Sequence, residues 1–271
     1  MISFPNCKIN LGLNIIGKRE DGFHDLETVF FPLPFTDILE IISSENNFDF
    51  TVTGLEVSND ENNLCVKAYK LLKKDFPQLP KIKMHLHKVI PLAAGLGGGS
   101  ADAAFALQLL NKKFQLKLSE EKLIEYALQL GSDCPFFIIN KPCFASGRGE
   151  KLEPINIDLS NCKIAIVNPG IHIDTTWAFS KIVPKQSSNA IKEIIKLPVK
   201  EWRNILKNDF EELVFTSHPE IEKIKNSLYD EGALYASMSG SGSSIFGIFP
   251  KERNIQIPHN NKYFYKMIDI S

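Results

Sequence analysis

Four glycines in five positions, Gly95, Gly97, Gly98 and Gly99, run directly into Ser100-Ala-Asp-Ala-Ala-Phe-Ala-Leu-Gln-Leu-Leu, a stretch of strong helix formers. Few arrangements suit such a junction. Glycine accepts left-handed backbone and lets another group come close to the main chain, while the first N–H groups of the helix that follows have no acceptor inside it. The combination predicts a loop that cradles phosphate, because those N–H groups and the positive end of the helix dipole both favour an anion. Ser100 adds a hydroxyl that can hydrogen-bond a phosphate or reach a metal bound to it. Taken alone, the same letters also describe a flexible turn before a buried helix. Two other phosphate loops are excluded. No Gly-Lys-Ser/Thr ends the run, so it is not a Walker A loop. The glycine spacing only grazes the dinucleotide fingerprint, which calls for an acid about 20 residues on, where Lys113, Gln115 and Lys117 stand.

The other polar landmarks are spread along the chain. Lys8-Ile-Asn-Leu-Gly-Leu-Asn-Ile alternates, so Lys8, Asn10, Gly12 and Asn14 share one face of a strand, a pattern usually solvated. A charged turn follows, and then Phe23-His-Asp-Leu-Glu-Thr-Val-Phe-Phe reads as a strand lined by the aromatics Phe23, Phe30 and Phe31 beside His24. Strands are predicted over 37–42, 48–53 and 82–88, and a capped helix over 59–74. His85 and His87 are spaced to chelate a metal from one strand face, but no third ligand is placed to complete a site, and an exposed edge is expected. Ser119 caps a helix that Gly131 ends. In Ser132-Asp-Cys-Pro-Phe-Phe, Pro135 predicts an extended Cys134, with Asp133 in a tight turn. A hairpin is expected within 140–153, a connector over 153–158, a strand over 163–167, and a helix over 201–213 that includes Asn208-Asp-Phe-Glu-Glu. Residues 185–198 read as polar and irregular. Another helix starts at Pro219 and stops near Gly232, and Gly240-Ser-Gly-Ser turns between two strands. From Pro250 on, any helix is expected to be short or absent.

Composition limits the partners. With 31 basic and 32 acidic residues among 271, and a net charge of -1, the chain has no global field for nucleic acid or an anionic membrane, so its anion site must be local. The first residues lack a basic start and an apolar core, and no apolar run approaches the roughly 18 residues of a membrane span; a cytoplasmic address is expected. The five cysteines (Cys7, Cys65, Cys134, Cys143, Cys162) are scattered and odd in number, which suits reduced, buried thiols better than disulfides or structural zinc.

Pro-x-x-x-Gly-Leu-Gly-Gly-Gly-Ser-Ala resembles the central signature of the GHMP kinases. Its three consecutive glycines look most like the 4-diphosphocytidyl-2-C-methyl-D-erythritol kinase branch. The strand beginning Lys-x-Asn-Leu at Lys8, Asp-Gly-Phe-His ending at His24, Gly-Ser-Asp-Cys-Pro-Phe-Phe around Asp133, the segment reaching Phe179 and the Gly-Ser turn follow in that family's order. The resemblance implies an α+β, two-domain GHMP kinase fold, with an N-terminal ribosomal protein S5 domain 2-like domain over 1–155, a ferredoxin-like C-terminal domain over 156–271, and an active site in the cleft between them. It implies ATP and Mg²⁺ as cofactors, and a cytidine diphosphate-linked polyol as the small-molecule partner, phosphorylated on its tertiary 2-hydroxyl in non-mevalonate isoprenoid synthesis.

The same resemblance gives residues their expected roles. Asp133 is the catalytic base, held ionised by Lys8, which also offsets charge at the phosphoryl group. Pro91, Leu92, Ala93 and Ala94 lead into the phosphate loop, Gly95, Leu96, Gly97, Gly98 and Gly99 form it, and Ser100 with Ala101 opens its helix. Asn10, Phe23, His24, Phe30 and Phe179 face the substrate, with rings closing on the cytosine. Trp177 is not separable from Phe179 by periodicity. Tyrosine is usual in the family where Phe23 stands, which keeps stacking but loses a hydroxyl. Two rivals remain at this level: a GHMP kinase for a small alcohol such as homoserine or mevalonate, and a catalytically silent nucleotide or metabolite sensor on the same scaffold.

Overall fold

Residues 1–185, 190–255 and 262–270 are described by the structure, a computed structural model. The described chain divides into two units, each built from separated stretches.

The first unit comprises Met1–Cys7, Phe35–Leu92 and Gly97–Lys141. Its sheet orders β1 (Ile2–Ser3), β4 (Ile38–Ser43), β6 (Ile82–Lys88) and β5 (Asp49–Gly54). β4 and β6 are antiparallel, with Ile38 opposite His87, whereas β5 and β6 are parallel and joined through helix α1 (Leu64–Asp75). β6 is thus an inner strand, and the expectation that His85 and His87 mark an exposed edge is corrected; the Thr53 hydroxyl lies 3.0 and 2.9 Å from their rings. Apolar residues facing the helices close this unit: Leu39, Ile41, Met84 and Leu86 from the strands, Val66 and Leu72 from α1, and Ala103, Ala106, Leu107 and Leu110 from α2 (Gly98–Lys113) are all buried. The Asn63 side chain caps α1 through the Cys65 N–H, and Ser119 caps α3 (Glu120–Leu130) through the Lys122 N–H.

One local reading is overturned. Cys134 is not extended but opens helix α4 (Cys134–Ile139). Pro135 sits in the first turn, where its missing N–H would have had no partner, so the restriction that proline places on its predecessor is overridden by helix initiation.

The second unit comprises Lys8–Pro34, Ala93–Leu96 and Pro142–Ser271. One sheet runs in the order β2 (Asn6–Lys18), β3 (His24–Thr36), β7 (Cys143–Ser146), β8 (Lys151–Pro154), the last two forming the expected hairpin. β2 is buried along both faces from Asn6 to Ile15, so its alternation does not signal a wet face: Lys8, Asn10 and Asn14 are 3%, 2% and 7% exposed. The other sheet orders β10 (Tyr235–Met238), β11 (Ile245–Pro250), β9 (Cys162–Asn168) and β12 (Phe264–Asp269), all antiparallel. This is the ferredoxin-like order, within an α+β fold. Its apolar layer joins Leu13 and Ile15 of β2 to Val167, Phe210, Ile221, Leu228, Met238 and Ile245.

The helices on this layer are α5 (Thr175–Lys181), α6 (Ile191–Ile194), a 3-10 turn (Val199–Asn204), α7 (Phe210–Ser217) and α8 (Pro219–Asp230). The single helix expected over 201–213 is therefore broken at 205–209. Asn208 accepts the Phe210 N–H and Asp209 accepts the Ile15 N–H, so both side chains compete with helix continuation, while Leu13 exchanges backbone bonds with Lys207 and Asp209. β12 is a strand that sequence reading did not anticipate. The expectation about a helix after Pro250 falls in part on 256–261, outside the described residues. All five cysteines are buried free thiols. Among the described residues no helix is long and apolar enough to cross a membrane.

Candidate active site

In the first unit the chemistry gathers at the start of α2. Gly97 takes a left-handed conformation (φ 70°, ψ 13°) as the residue before the helix. The first i→i−4 bond runs from the Ala101 N–H to the Gly97 carbonyl at 2.9 Å, so the N–H groups of Gly98, Gly99 and Ser100 precede the helical ladder, as an anion cradle requires. The Ser100 side chain hydrogen-bonds the Cys134 thiol; burial pushes that thiol up to about 12 against this bond. Ser100 thereby lies beside the turn that carries Asp133. Asp133 is half-buried, and its side chain makes no capping bond to α4.

Beneath α2 lies a charged cluster that sequence reading missed. The Lys88 ammonium, 1% exposed, bonds Asp37, and Asp102 at 2.8 Å, while the other Asp37 oxygen accepts the N–H groups of Val89 and Ile90 at 2.6 and 2.9 Å. The end of β6, the residue before β4 and the second turn of α2 are thus tied together. Burial pushes Lys88 down, but Asp102 and Asp37 outweigh it and hold it above its ordinary value. Two carboxylates share this one cation. Burial, with Asp37 adding to it, pushes the Asp102 carboxyl up to about 7, and its Oδ1 has no hydrogen-bond partner.

In the second unit Lys8 is the centre. Its ammonium donates to Asn10 Oδ1 at 2.7 Å and to the Gly95 carbonyl at 3.1 Å, and lies 5.1 Å from the centroid of Phe30, itself 2% exposed. The Ser239 hydroxyl donates to the same Gly95 carbonyl at 2.8 Å. Residues 93–96 are also held by backbone bonds, from the Lys8 N–H to the Leu96 carbonyl at 3.0 Å and from the Ser244 N–H to the Ala94 carbonyl at 3.2 Å. Glycine is required at 95 because an added Cβ would lie 1.9 Å from the Ser239 carbonyl oxygen. The group that approaches Gly95 most closely is therefore the chain's own Gly-Ser turn. Of the other expected loop residues, Leu92 is 44% exposed, Pro91 is half-buried, Ala93 has a positive φ of 47° and Ala101 is buried.

The expected aromatic residues cluster in the same unit. The His24 ring lies 5.3 Å from Phe179, and Phe179 meets Phe210 edge-on at 4.9 Å. Phe179 and Trp177 both pack against the apolar layer, and the ring contact with His24 is what sets Phe179 apart. Burial, followed by the charge of Lys18, holds His24 below its ordinary value, so it is neutral at pH 7 with one donor and one acceptor nitrogen. Phe23 is 49% exposed and carries the Arg148 guanidinium 3.9 Å above its ring. Arg148 was visible only as a charge in a glycine-rich hairpin.

Asn208 was likewise missed. Its amide donates to the carbonyls of Met238 and Gly240 at 2.7 and 2.8 Å and fastens the Gly-Ser turn, and Glu211 accepts the Met238 N–H at 2.8 Å. The Asn-Asp-Phe-Glu string was the only signal for that role.

Known proteins share both the sequence and the fold. The model of the GHMP kinases N terminal domain matches residues 63–141, and that of the GHMP kinases C terminal domain matches 190–266. A protein of Bacteroides fragilis named 4-diphosphocytidyl-2-C-methyl-D-erythritol kinase is 54% identical over 259 residues, 94% of each chain. One of the same name from Porphyromonas gingivalis is 47% identical over 92% of each. A crystal structure of 4-(cytidine 5'-diphospho)-2C-methyl-D-erythritol kinase superposes with a TM-score of 0.79 at 29% identity, covering 92% of this chain and 90% of that one. Methanococcus jannaschii mevalonate kinase, at 14% identity and a TM-score of 0.72 over 100% of this chain and 98% of its own, shares the fold. The chain therefore belongs to the GHMP kinases, in their 4-diphosphocytidyl-2-C-methyl-D-erythritol kinase branch.

Proposed function

We propose that this kinase transfers the γ-phosphoryl group of ATP to the 2-hydroxyl of 4-diphosphocytidyl-2-C-methyl-D-erythritol. The substrate oxygen forms the new bond to phosphorus, the bond to the β-phosphate oxygen breaks, ADP leaves, and the hydroxyl proton passes to Asp133. Lys8 offsets negative charge on the phosphoryl group. The N–H groups of Gly98, Gly99 and Ser100 bind the phosphate chain. Cytosine is gripped by Phe23 and Phe179, with neutral His24 supplying hydrogen bonds.

Mg²⁺ fits the donor set. The Ser100 hydroxyl, which bonds the thiol of Cys134 next to Asp133, is an oxygen ligand of the kind this cation takes when phosphate and water fill most of its shell. Ser100 would hold the ion, which when bound neutralises charge on the phosphates. The division at 155/156 belongs to the same reading and agrees with family matches that lie on either side of it.

The observation that carries the choice of substrate is the pairing of His24 with Phe179, 5.3 Å apart, beside the exposed Phe23. A kinase for homoserine or mevalonate has no base for these rings to hold. ADP release, measured at fixed ATP with 4-diphosphocytidyl-2-C-methyl-D-erythritol, homoserine and mevalonate in parallel, tests the reading. Turnover with the first alone is expected; comparable turnover with either small alcohol would refute it.

A further inference from the structure

The hydrogen bonds behind Lys8 admit one arrangement of protons, and its origin is a residue with no assigned role. Thr28, in β3, is 0% exposed. Its hydroxyl lies 2.5 Å from the Gly12 carbonyl and 2.9 Å from the Asn10 amide nitrogen. A hydroxyl has one proton, and a carbonyl can only accept, so the Thr28 proton goes to Gly12. Thr28 must then accept from Asn10, which puts the Asn10 NH₂ on Thr28 and its carbonyl oxygen on the opposite side. There it meets Lys8, an obligate donor, at 2.7 Å. Turning the Asn10 amide over would set NH₂ against an ammonium and draw the Thr28 proton away from the Gly12 carbonyl. Both losses would be buried, since Asn10 is 2% and Lys8 3% exposed. Gly12 is suited to its part, with a positive φ of 72° and no space for a side chain, because an added Cβ would lie 2.5 Å from Leu206.

We propose that Thr28 is a positioning residue: it sets the polarity of the Asn10 amide and, through it, the aim of the Lys8 ammonium. The Gly95 carbonyl, 3.1 Å from Lys8, is the second fixed acceptor, so the ammonium is held from two directions. This rests on the phosphoryl-transfer role given to Lys8 above. It assigns to Thr28 no contact with substrate.

The test compares Thr28→Val, which keeps the shape and removes the hydroxyl, with Thr28→Ser, which keeps the hydroxyl, each made in the wild-type and in the Asn10→Leu background. Steady-state kcat and both KM values are read, with thermal melting alongside. Thr28→Val is expected to lower kcat by about 10- to 100-fold with both KM values within about twofold, as expected for misplacement of a group that acts in the transition state. Thr28→Ser should restore kcat, and Thr28→Val should cost nothing further in Asn10→Leu, where the amide is already gone. Wild-type kcat in a folded Thr28→Val would overturn the proposal, as would an equal loss with and without the Asn10 amide, which would make Thr28 a general support of the fold. Should Thr28→Val fail to fold, Thr28→Cys, with its weaker donor, replaces it under the same criteria. Lys8→Met tests the underlying reading separately: wild-type kcat in that variant would remove the role of Lys8 whatever Thr28 does.

Discussion

Replacing Gly99 with alanine separates a ligand-binding loop from a structural one, because the structure gives that glycine no internal reason to be glycine. At Gly95 an added Cβ would meet the Ser239 carbonyl oxygen at 1.9 Å, and at Gly98 it would come within 2.9 Å of both Ile90 and Lys88. Alanine at either position disturbs the fold, so lost activity there says nothing about phosphate. Gly99 is exposed and lies inside α2, and the nearest atom to its would-be Cβ is Leu64 Cδ1 at 4.0 Å, an ordinary contact. Alanine is favoured over glycine in a helix by about 0.8–1 kcal/mol in the interior, and by less in the first turn. A gain of about 0.5 kcal/mol follows, or roughly 1–2 °C in Tm for a chain of this size. Nucleotide affinity should move the other way. A methyl group on the exposed side of the first turn stands where phosphate reaches the N–H groups, and losing one such contact, about 1.4 kcal/mol, weakens ATP binding about tenfold. Differential scanning fluorimetry and calorimetric ATP titration on one preparation give both numbers. A Gly99→Ala protein that is more stable and binds ATP as tightly as wild type would refute the cradle.

Asp102→Asn should change how stability depends on pH. A carboxyl raised to about 7 in the folded state keeps its proton while the unfolded chain loses it, so stability drains away as pH rises from about 4 to about 7 and levels off above that. The variant leaves Lys88 paired one-to-one with Asp37, and its Tm advantage over wild type should grow between pH 4.5 and 7.5; a constant difference across that range would contradict the assignment. His24→Ala should raise KM for the cytidine-bearing substrate about tenfold and leave KM for ATP unchanged, the cost of a lost hydrogen-bonding partner; equal KM in wild type and variant would remove His24 from the base site. Because His24 is held below its ordinary value, the loss of wild-type affinity for that substrate on acidification should set in at lower pH than protonation of a free imidazole would give, as a pH profile of KM would show.

Local features of the fold were legible in the sequence and remote ones were not. The glycine junction, the Ser119 cap and the Gly-Ser turn depend on neighbours along the chain, and each lies where the residues place it. Most failures share one cause, which is tertiary context; the reading of Pro135 failed for a local reason. β2 alternates like a half-wet strand yet is covered on both faces, so Lys8 and Asn10 are buried. Asn208 and Asp209 look compatible with a helix until their side chains are called away, to the carbonyls of Met238 and Gly240 and to the Ile15 N–H. Pro135 was read as a barrier to helix and proved to sit in the first turn of one. Lys88 gave no signal at all, for its two partners are 51 and 14 residues distant. Of the candidate site, residue types and motif order were readable, but the supports were not: Thr28 behind Asn10, Arg148 over Phe23, and Asn208 under the Gly-Ser turn become visible only when strands from distant parts of the chain lie side by side.

The central claim, that this kinase works through Asp133 as proton acceptor, is tested most directly by the kcat of Asp133→Asn with 4-diphosphocytidyl-2-C-methyl-D-erythritol and ATP. Asparagine is almost isosteric with aspartate and still accepts hydrogen bonds through its carbonyl, and the Asp133 side chain makes no capping bond to α4, so the variant should melt near wild type. An amide cannot take the hydroxyl proton, and loss of a general base costs about 10² to 10⁴ in rate. The account predicts a kcat lowered by that factor in a protein of wild-type stability. A variant that melts with wild type and keeps most of its kcat would contradict it.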